Sequence, residues 1–250
     1  MKNAMPYKFI RPFGILLTGA ILISLFQNCS KVNFVETPTA ILNASAGDPG
    51  VNIVCDPFSA NSTCSTNSGE GLLGNVYHLP NTTSNNNVGV QHYIDYGTKL
   101  NLYIQLSSLN IPLRQWSAGF PDGKNGSILD AQGQPLIEYF ALDLRGKLTL
   151  NQELPEGQYQ FAIASDDGAI LDVDGEIIVN NDGWHGRSWK CATKSVDLKK
   201  GVPHPLRLRY YQGPRVEIAL QVYMRPMSMQ GQSCDDNGGW QIIPSTLLSH

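Results

Sequence analysis

Apolar and polar residues alternate through the middle of the chain with the two-residue period of strands. Leu100, Leu102, Ile104 and Leu106 take every second position, which marks a half-buried strand. Tyr159, Phe161 and Ile163 repeat the pattern within residues 158–165, and Leu206, Leu208 and Tyr210 alternate with Arg207, Arg209 and Tyr211. Val216, Ile218, Leu220 and Val222 follow, with Glu217 and Gln221 between them. Residues 169–173 and 177–179 flank Asp174-Gly175, a hairpin signal because both central residues of a type I′ turn need positive φ. No segment carries a long helical period. Many short strands separated by turn residues predict an all-β fold, an antiparallel β-sandwich or barrel.

The first residues follow another pattern. Lys2, Lys8 and Arg11 precede an apolar run over residues 13–26. At helical rise that run spans about 21 Å, short of the roughly 30 Å hydrocarbon core of a bilayer. A basic stretch before a short apolar run is the build of an export signal. It ends at Leu25-Phe26-Gln27-Asn28-Cys29-Ser30, which resembles a bacterial lipoprotein signal. That resemblance implies lipidation of Cys29 and a membrane-anchored, exported protein of the bacterial outer membrane or cell surface. Phe26, Gln27 and Asn28 are larger than the residues usual before such a cysteine, and an uncleaved anchor or ordinary cleavage nearby is the competing reading.

Export changes the arithmetic of charge and cysteine. The full sequence of 250 residues has a formal net charge of −3 and five cysteines. Removal of residues 1–28 takes three cations with it and leaves 15 basic against 21 acidic residues, a net −6. Such a chain has no basic stripe for phosphates, which excludes nucleic acid as a partner. Cys55, Cys64, Cys191 and Cys234 remain, an even number in an oxidising compartment. Of three possible pairings we expect Cys55–Cys64 and Cys191–Cys234; no C-x-x-C pair supports a zinc site instead.

The chain thus divides into a signal over 1–28, a tether over 29–70 rich in Ser, Thr, Asn, Gly and Pro, a β domain over 71–226 and an irregular tail over 227–250. Counting strand directions through the domain as a simple meander gathers three loops at one end. These are Asp166-Asp167-Gly168, Asn181-Asp182-Gly183-Trp184-His185 and Gln212-Gly213-Pro214-Arg215.

Residues 71–226 resemble the protective-antigen fourteen-kilodalton-type (PA14-like) domain. The resemblance rests on Gly71 to Tyr77, on Pro155 to Phe161, on Val196 to Gly201, on Pro205 to Tyr211, and above all on Ser165-Asp166-Asp167-Gly168-Ala169-Ile170-Leu171-Asp172-Val173-Asp174-Gly175. It implies a β-sandwich that binds glycan or another cell-surface ligand. In the carbohydrate-binding adhesins of this family, an adjacent Asp pair joined by a cis peptide holds Ca²⁺, which in turn coordinates sugar hydroxyls. Asp166 and Asp167 match that pair, and Ca²⁺ is the cofactor this implies. Adjacent side chains on an extended strand point to opposite faces, so their convergence on one ion needs a kink. Calcium takes six to eight oxygens; Asn181 and Asp182 are candidate donors or ligand contacts, with Trp184, His185 and Gln212 as further ligand-binding candidates. Here the chain departs from those adhesins, whose last loop is longer and supplies an Asn, whereas this one carries the cation Arg215.

Each of these readings has a plainer counterpart. Asp166 and Asp167 can shape a metal-free turn by accepting backbone hydrogen bonds. Trp116, Trp184 and Trp189 can stack on sugars or simply pack, and His185 can be a turn histidine. No G-x-S-x-G, H-E-x-x-H, phosphate-binding loop or dinucleotide fingerprint is present, and the adjacent Asp pair has no second acid across a cleft. The expectation is therefore a non-catalytic binding protein of the cell envelope, with a metal-free structural or protein-interaction module as the alternative.

Overall fold

The computed structural model describes residues 52–58, 69–80, 87–115, 117, 119, 127–229 and 233–250; Cys29, Cys64 and Trp116 lie outside them. Within them the alternating stretches are strands. In chain order these are β1 (Ile53–Cys55), β2 (Leu72–His78), β3 (Thr98–Leu106), β4 (Asn110–Gln115), β5 (Phe140–Thr149), β6 (Gly157–Asp166) and β7 (Ala169–Val173). They continue with β8 (Glu176–Asn181), β9 (Ser188–Cys191), β10 (Val196–Leu198), β11 (Pro203–Gln212), β12 (Glu217–Pro226), β13 (Gln241–Ile242) and β14 (Leu248–Ser249). One short helix, α1 (Val90–Tyr96), precedes β3. No helix of the described residues is long and apolar enough to cross a membrane.

The strands form two sheets, and the fold is a β-sandwich. The larger has the order β1-β3-β2-β5-β11-β7-β8, with β14 also on β5; the smaller runs β10-β6-β12-β13, with β4 on β12 and β9 on β6. The core lies between them. Ile104, Leu144, Leu171 and Leu208 come from the large sheet, and Phe161, Ile163, Leu220 and Val222 from the small one, all in one buried cluster. Each such side chain contributes about 1.5–3 kcal/mol through burial. Strand β11 shows why the period of two matters: Leu206, Leu208 and Tyr210 enter this core, while Tyr211 belongs to a second cluster on the opposite face.

That second cluster exists because α1 lays Val90 and Tyr93 on the outer face of the large sheet, against Ala141, Ile170 and Tyr211. The β7–β8 hairpin turns at Asp174 (φ 54°) and Gly175 (φ 81°), both positive as the Asp-Gly signal requires.

The meander assumed from sequence is replaced by a change of layer. β6 lies in the small sheet and β7 in the large one, so Asp166-Asp167-Gly168 is the crossover between sheets. The stretches read as tether and tail are partly built in. β1 runs parallel to β3 at the sheet edge, and the Asp56 carboxylate accepts from the backbone N–H groups of Phe58, Ser107 and Ser108 and from the Ser107 hydroxyl. In the tail, β13 joins β12 and β14 joins β5. Cys191 and Cys234 are disulfide-bonded. Cys55 is also disulfide-bonded, while its expected partner Cys64 falls outside the described residues.

Candidate functional site

Three chain segments meet at the sheet crossover. The peptide between Asp166 and Asp167 is cis. Asp167 Oδ1 accepts from the backbone N–H of His185 at 3.1 Å, and Oδ2 from that of Gly213 at 2.9 Å. One carboxylate therefore ties the 181–188 loop and the 212–217 loop to the crossover. The Asp166 carbonyl accepts from the Tyr210 hydroxyl at 2.6 Å, and the Gly168 carbonyl from the Tyr211 N–H at 2.9 Å. Gly168 is required by close approach: a Cβ there would lie 2.5 Å from the Tyr211 ring and 2.6 Å from Asp182 Oδ1.

Both carboxyls are buried, Asp166 to 8% and Asp167 to 2% exposure. Burial pushes Asp166 up to about 6, against the opposing effect of a hydrogen bond from the Arg187 backbone N–H. Burial pushes Asp167 up to about 7, with the neighbouring Asp166 charge raising it further and the Gly213 and His185 N–H groups opposing. No Lys or Arg side chain forms an ion pair with either among the described residues. Nor do three or more His, Cys, Asp or Glu side chains cluster there as a metal cage. A calcium ion held by this pair would keep positions for backbone carbonyls, water or ligand hydroxyls, which suits its demand for six to eight oxygens.

The remaining sequence candidates separate into two groups. Trp184 is exposed (55%) beside the pair, on the loop that His185 anchors; its own N–H bonds to Asn87 Oδ1. The His185 ring lies with Nε2 3.0 Å from the Asn181 carbonyl and Nδ1 3.0 Å from that of Gly186. Asn181, Asp182 and Gln212 are instead engaged in bracing hydrogen bonds. Asn181 Nδ2 donates to Ser165 Oγ and to the Ser188 carbonyl. Asp182 Oδ1 accepts from the N–H groups of Val90 and Gly183, which docks the start of α1. Gln212 is fully buried: its Nε2 donates to the Pro214 and Glu217 carbonyls and its Oε1 accepts from Tyr210. Trp189 packs on Tyr223 of the small sheet, with ring centroids 4.4 Å apart. Arg215, which the sequence places near the pair, is bound to Glu138 by Nε at 3.0 Å and by Nη2.

Sequence reasoning missed Tyr210, Tyr211 and the segment around Asn87 and Val90. The Tyr211 hydroxyl is buried without a hydrogen-bond partner, near enough to Asp167 and Asp182 for both charges to raise its pKa, although burial raises it most. The strand alternation carried a signal for the tyrosines, because Tyr210 and Tyr211 lie in β11 just before its last residue, Gln212, which opens the loop. The α1 contact crosses more than ninety positions and left none.

The family model of the PA14 domain matches residues 129–237. Over those residues the chain is similar to the PA14 domain. The match extends past the 226 boundary expected from sequence into the tail that holds Cys234. A PA14 sugar-binding domain from an RTX adhesin aligns with 72% of this chain and 98% of its own length, at 19% identity and a TM-score of 0.51; it shows the shared fold. The Epithelial Adhesin 6 A domain from Candida glabrata, solved with Galb1-3GlcNAc, aligns over 80% of this chain and 93% of its own (16% identity, TM-score 0.48). An anti-sigma factor domain-containing protein aligns over 72% of this chain (20% identity, TM-score 0.46), and the alignment spans about half of that protein, 48%. No curated protein matches the chain.

Proposed function

We propose that the crossover end of this PA14 domain binds the hydroxyls of a surface glycan through Ca²⁺ held by Asp166 and Asp167, on an exported protein anchored by a lipid at Cys29. The observation that carries the reading is the buried Asp pair itself. Two adjacent carboxyls are held above their usual range by burial, form no ion pair with a Lys or Arg side chain among the described residues, and are tied through the His185 N–H to the loop that carries the exposed Trp184. A divalent cation satisfies all of that charge at once, and its open positions take ligand oxygens. Trp184 offers a ring face for the apolar side of a pyranose, and His185 holds its loop to Asp167. The sugar-binding PA14 domain of the RTX adhesin supports the same assignment. The reading is of a non-catalytic binding domain.

A metal-free structural module is the second reading. It is favoured by the two backbone N–H groups on Asp167, which already brace the loops. Calorimetry with Ca²⁺ and a glycan array in Ca²⁺ and in EDTA decide between them. The glycan reading expects Ca²⁺ binding and array signals that vanish in EDTA and in Asp166→Ala/Asp167→Ala. Absence of Ca²⁺ binding, with array signals unchanged in the double variant, assigns the pair to bracing alone.

A further inference from the structure

Beside α1, the outer face of the large sheet carries a cluster of charged residues. Across one row, Leu73, Arg145, Arg207 and Asp172 are successive partners on β2, β5, β11 and β7. The next row holds Tyr103, Asn75, Asp143 and Arg209. Arg145 and Arg207 stand directly opposite each other, an arrangement of like charges that disfavours pairing unless neutralised. One carboxylate serves both: Asp143 Oδ1 accepts from Arg207 Nε at 2.6 Å, and Oδ2 accepts from Arg207 Nη2 at 2.9 Å and Arg145 Nη2 at 3.3 Å. Arg209 has its own partners, with Nη2 bonded to both Asp172 oxygens and Nη1 to Gln91.

The balance on this face is positive. Lys99 reaches over the Tyr103 ring at 5.2 Å, and Lys147 follows Arg145 on the same side of β5, exposed. Even with Asp95 of α1 counted, five cations face three carboxylates, on a chain whose full sequence is net acidic. The polar inventory is also incomplete: Asn75 Oδ1, Arg145 Nε and Arg209 Nε are buried with no hydrogen-bond partner. Asn75 and Arg209 are themselves more than nine-tenths buried. Arg145 and Arg207 keep 28% and 30% of their side-chain surface exposed, so ligand can reach them.

We propose that this face, centred on Arg145 and Arg207, is a second binding site, and that it takes a carboxylated polysaccharide without metal. The guanidinium fork matches a carboxylate with two parallel hydrogen bonds. Asp143 neutralises one of the two opposed arginines and leaves the other's charge for the ligand. The half-buried rings of Tyr77 and Tyr103 flank that point and offer amphipathic surfaces to a sugar ring. Lys99 and Lys147 extend the positive field along the sheet, which suits a polymer with repeating charge.

The full chain is tested in EDTA against immobilised polygalacturonate and a neutral galactan, with phosphatidylglycerol vesicles as a further arm. Binding to polygalacturonate is expected, weakening with salt, with little retention on galactan. Arg145→Gln and the double variant Lys99→Gln/Lys147→Gln each lose about tenfold in affinity, equivalent to one power of ten in Kd. Arg145→Lys also loses affinity because the fork is gone, whereas Asp166→Ala/Asp167→Ala retains it. Equal retention on galactan, or unchanged affinity in variants that melt like the parent, overturns the proposal. Tighter binding to the vesicles than to polygalacturonate overturns it as well, in favour of an anionic lipid surface. If Arg145→Gln fails to fold, the two exposed lysines decide the outcome.

Discussion

Asp167 combines three roles that pull against one another. Its two oxygens brace two loops through backbone N–H groups, its burial disfavours charge, and its neighbour Asp166 is a second buried carboxyl. A carboxyl whose folded-state pKa lies above its unfolded value holds a proton that the unfolded chain releases. The stability that its neutral form contributes is complete below the unfolded value of 3.8 and is lost as pH rises through the folded values of about 6 and about 7. In EDTA the melting temperature is therefore expected to fall from pH 5 to pH 8, and Asp167→Asn, which cannot ionise, is expected to flatten that fall. On the proposed reading Ca²⁺ competes with the same protons, and millimolar Ca²⁺ is expected to raise the melting temperature more at pH 8 than at pH 5. Calorimetric scans across this range check both. A profile that is flat in EDTA, with no effect of Asp167→Asn, removes burial as the dominant influence on the pair.

At the scale of elements, the legible part of the fold was the part encoded by period and turn chemistry. Residues 206–211 announced which side chains enter the core, Asp174-Gly175 announced the hairpin, and the strand ends brought the three loops to one place. What stayed hidden depended on partners far along the chain. Gln212 looked like a loop amide facing a ligand, yet burial turned it into a brace between Tyr210, Pro214 and Glu217. The change of sheet between β6 and β7 leaves no mark in the alternation, because strands of both layers read alike. The seven residues of α1 are too few to show a helical period, and β1 has only three residues to show alternation. The tail is the element with the clearest consequence. Cys191–Cys234 bridges 43 positions, and closing a loop of that size stabilises by about 4 kcal/mol on a chain-entropy account. It also holds Trp240 near Trp189, with ring centroids 6.5 Å apart, and Arg225 over Trp240. Cys191→Ser/Cys234→Ser is expected to lose about 2–4 kcal/mol in urea unfolding and to free the tail for proteolysis. An unchanged midpoint and a protected tail would mean that β13, β14 and the tryptophan packing suffice.

On the proposed reading, anchoring and binding belong to different stretches of the sequence. Cys29 belongs to the sequence ahead of β1, while the candidate glycan site is assembled from residues 166–213 and the carboxylated-polymer face from β2, β3, β5, β7 and β11. One acyl chain gives only marginal, reversible membrane attachment, so lasting anchorage at Cys29 needs more than one chain, as the lipoprotein-type signal implies. Expressed in a bacterium that processes such signals, the parent protein is expected in the membrane pellet with a mass above that of the chain starting at Cys29. Cys29→Ala should shift the exported protein to the soluble fraction and abolish that added mass. The purified variant should keep the parent's affinity for Ca²⁺ and for glycan, because the binding surfaces are intact. A Cys29→Ala protein that still sediments with membranes would refute the lipid anchor and leave the uncleaved apolar run as the attachment, while both binding surfaces would stand or fall by their own variants.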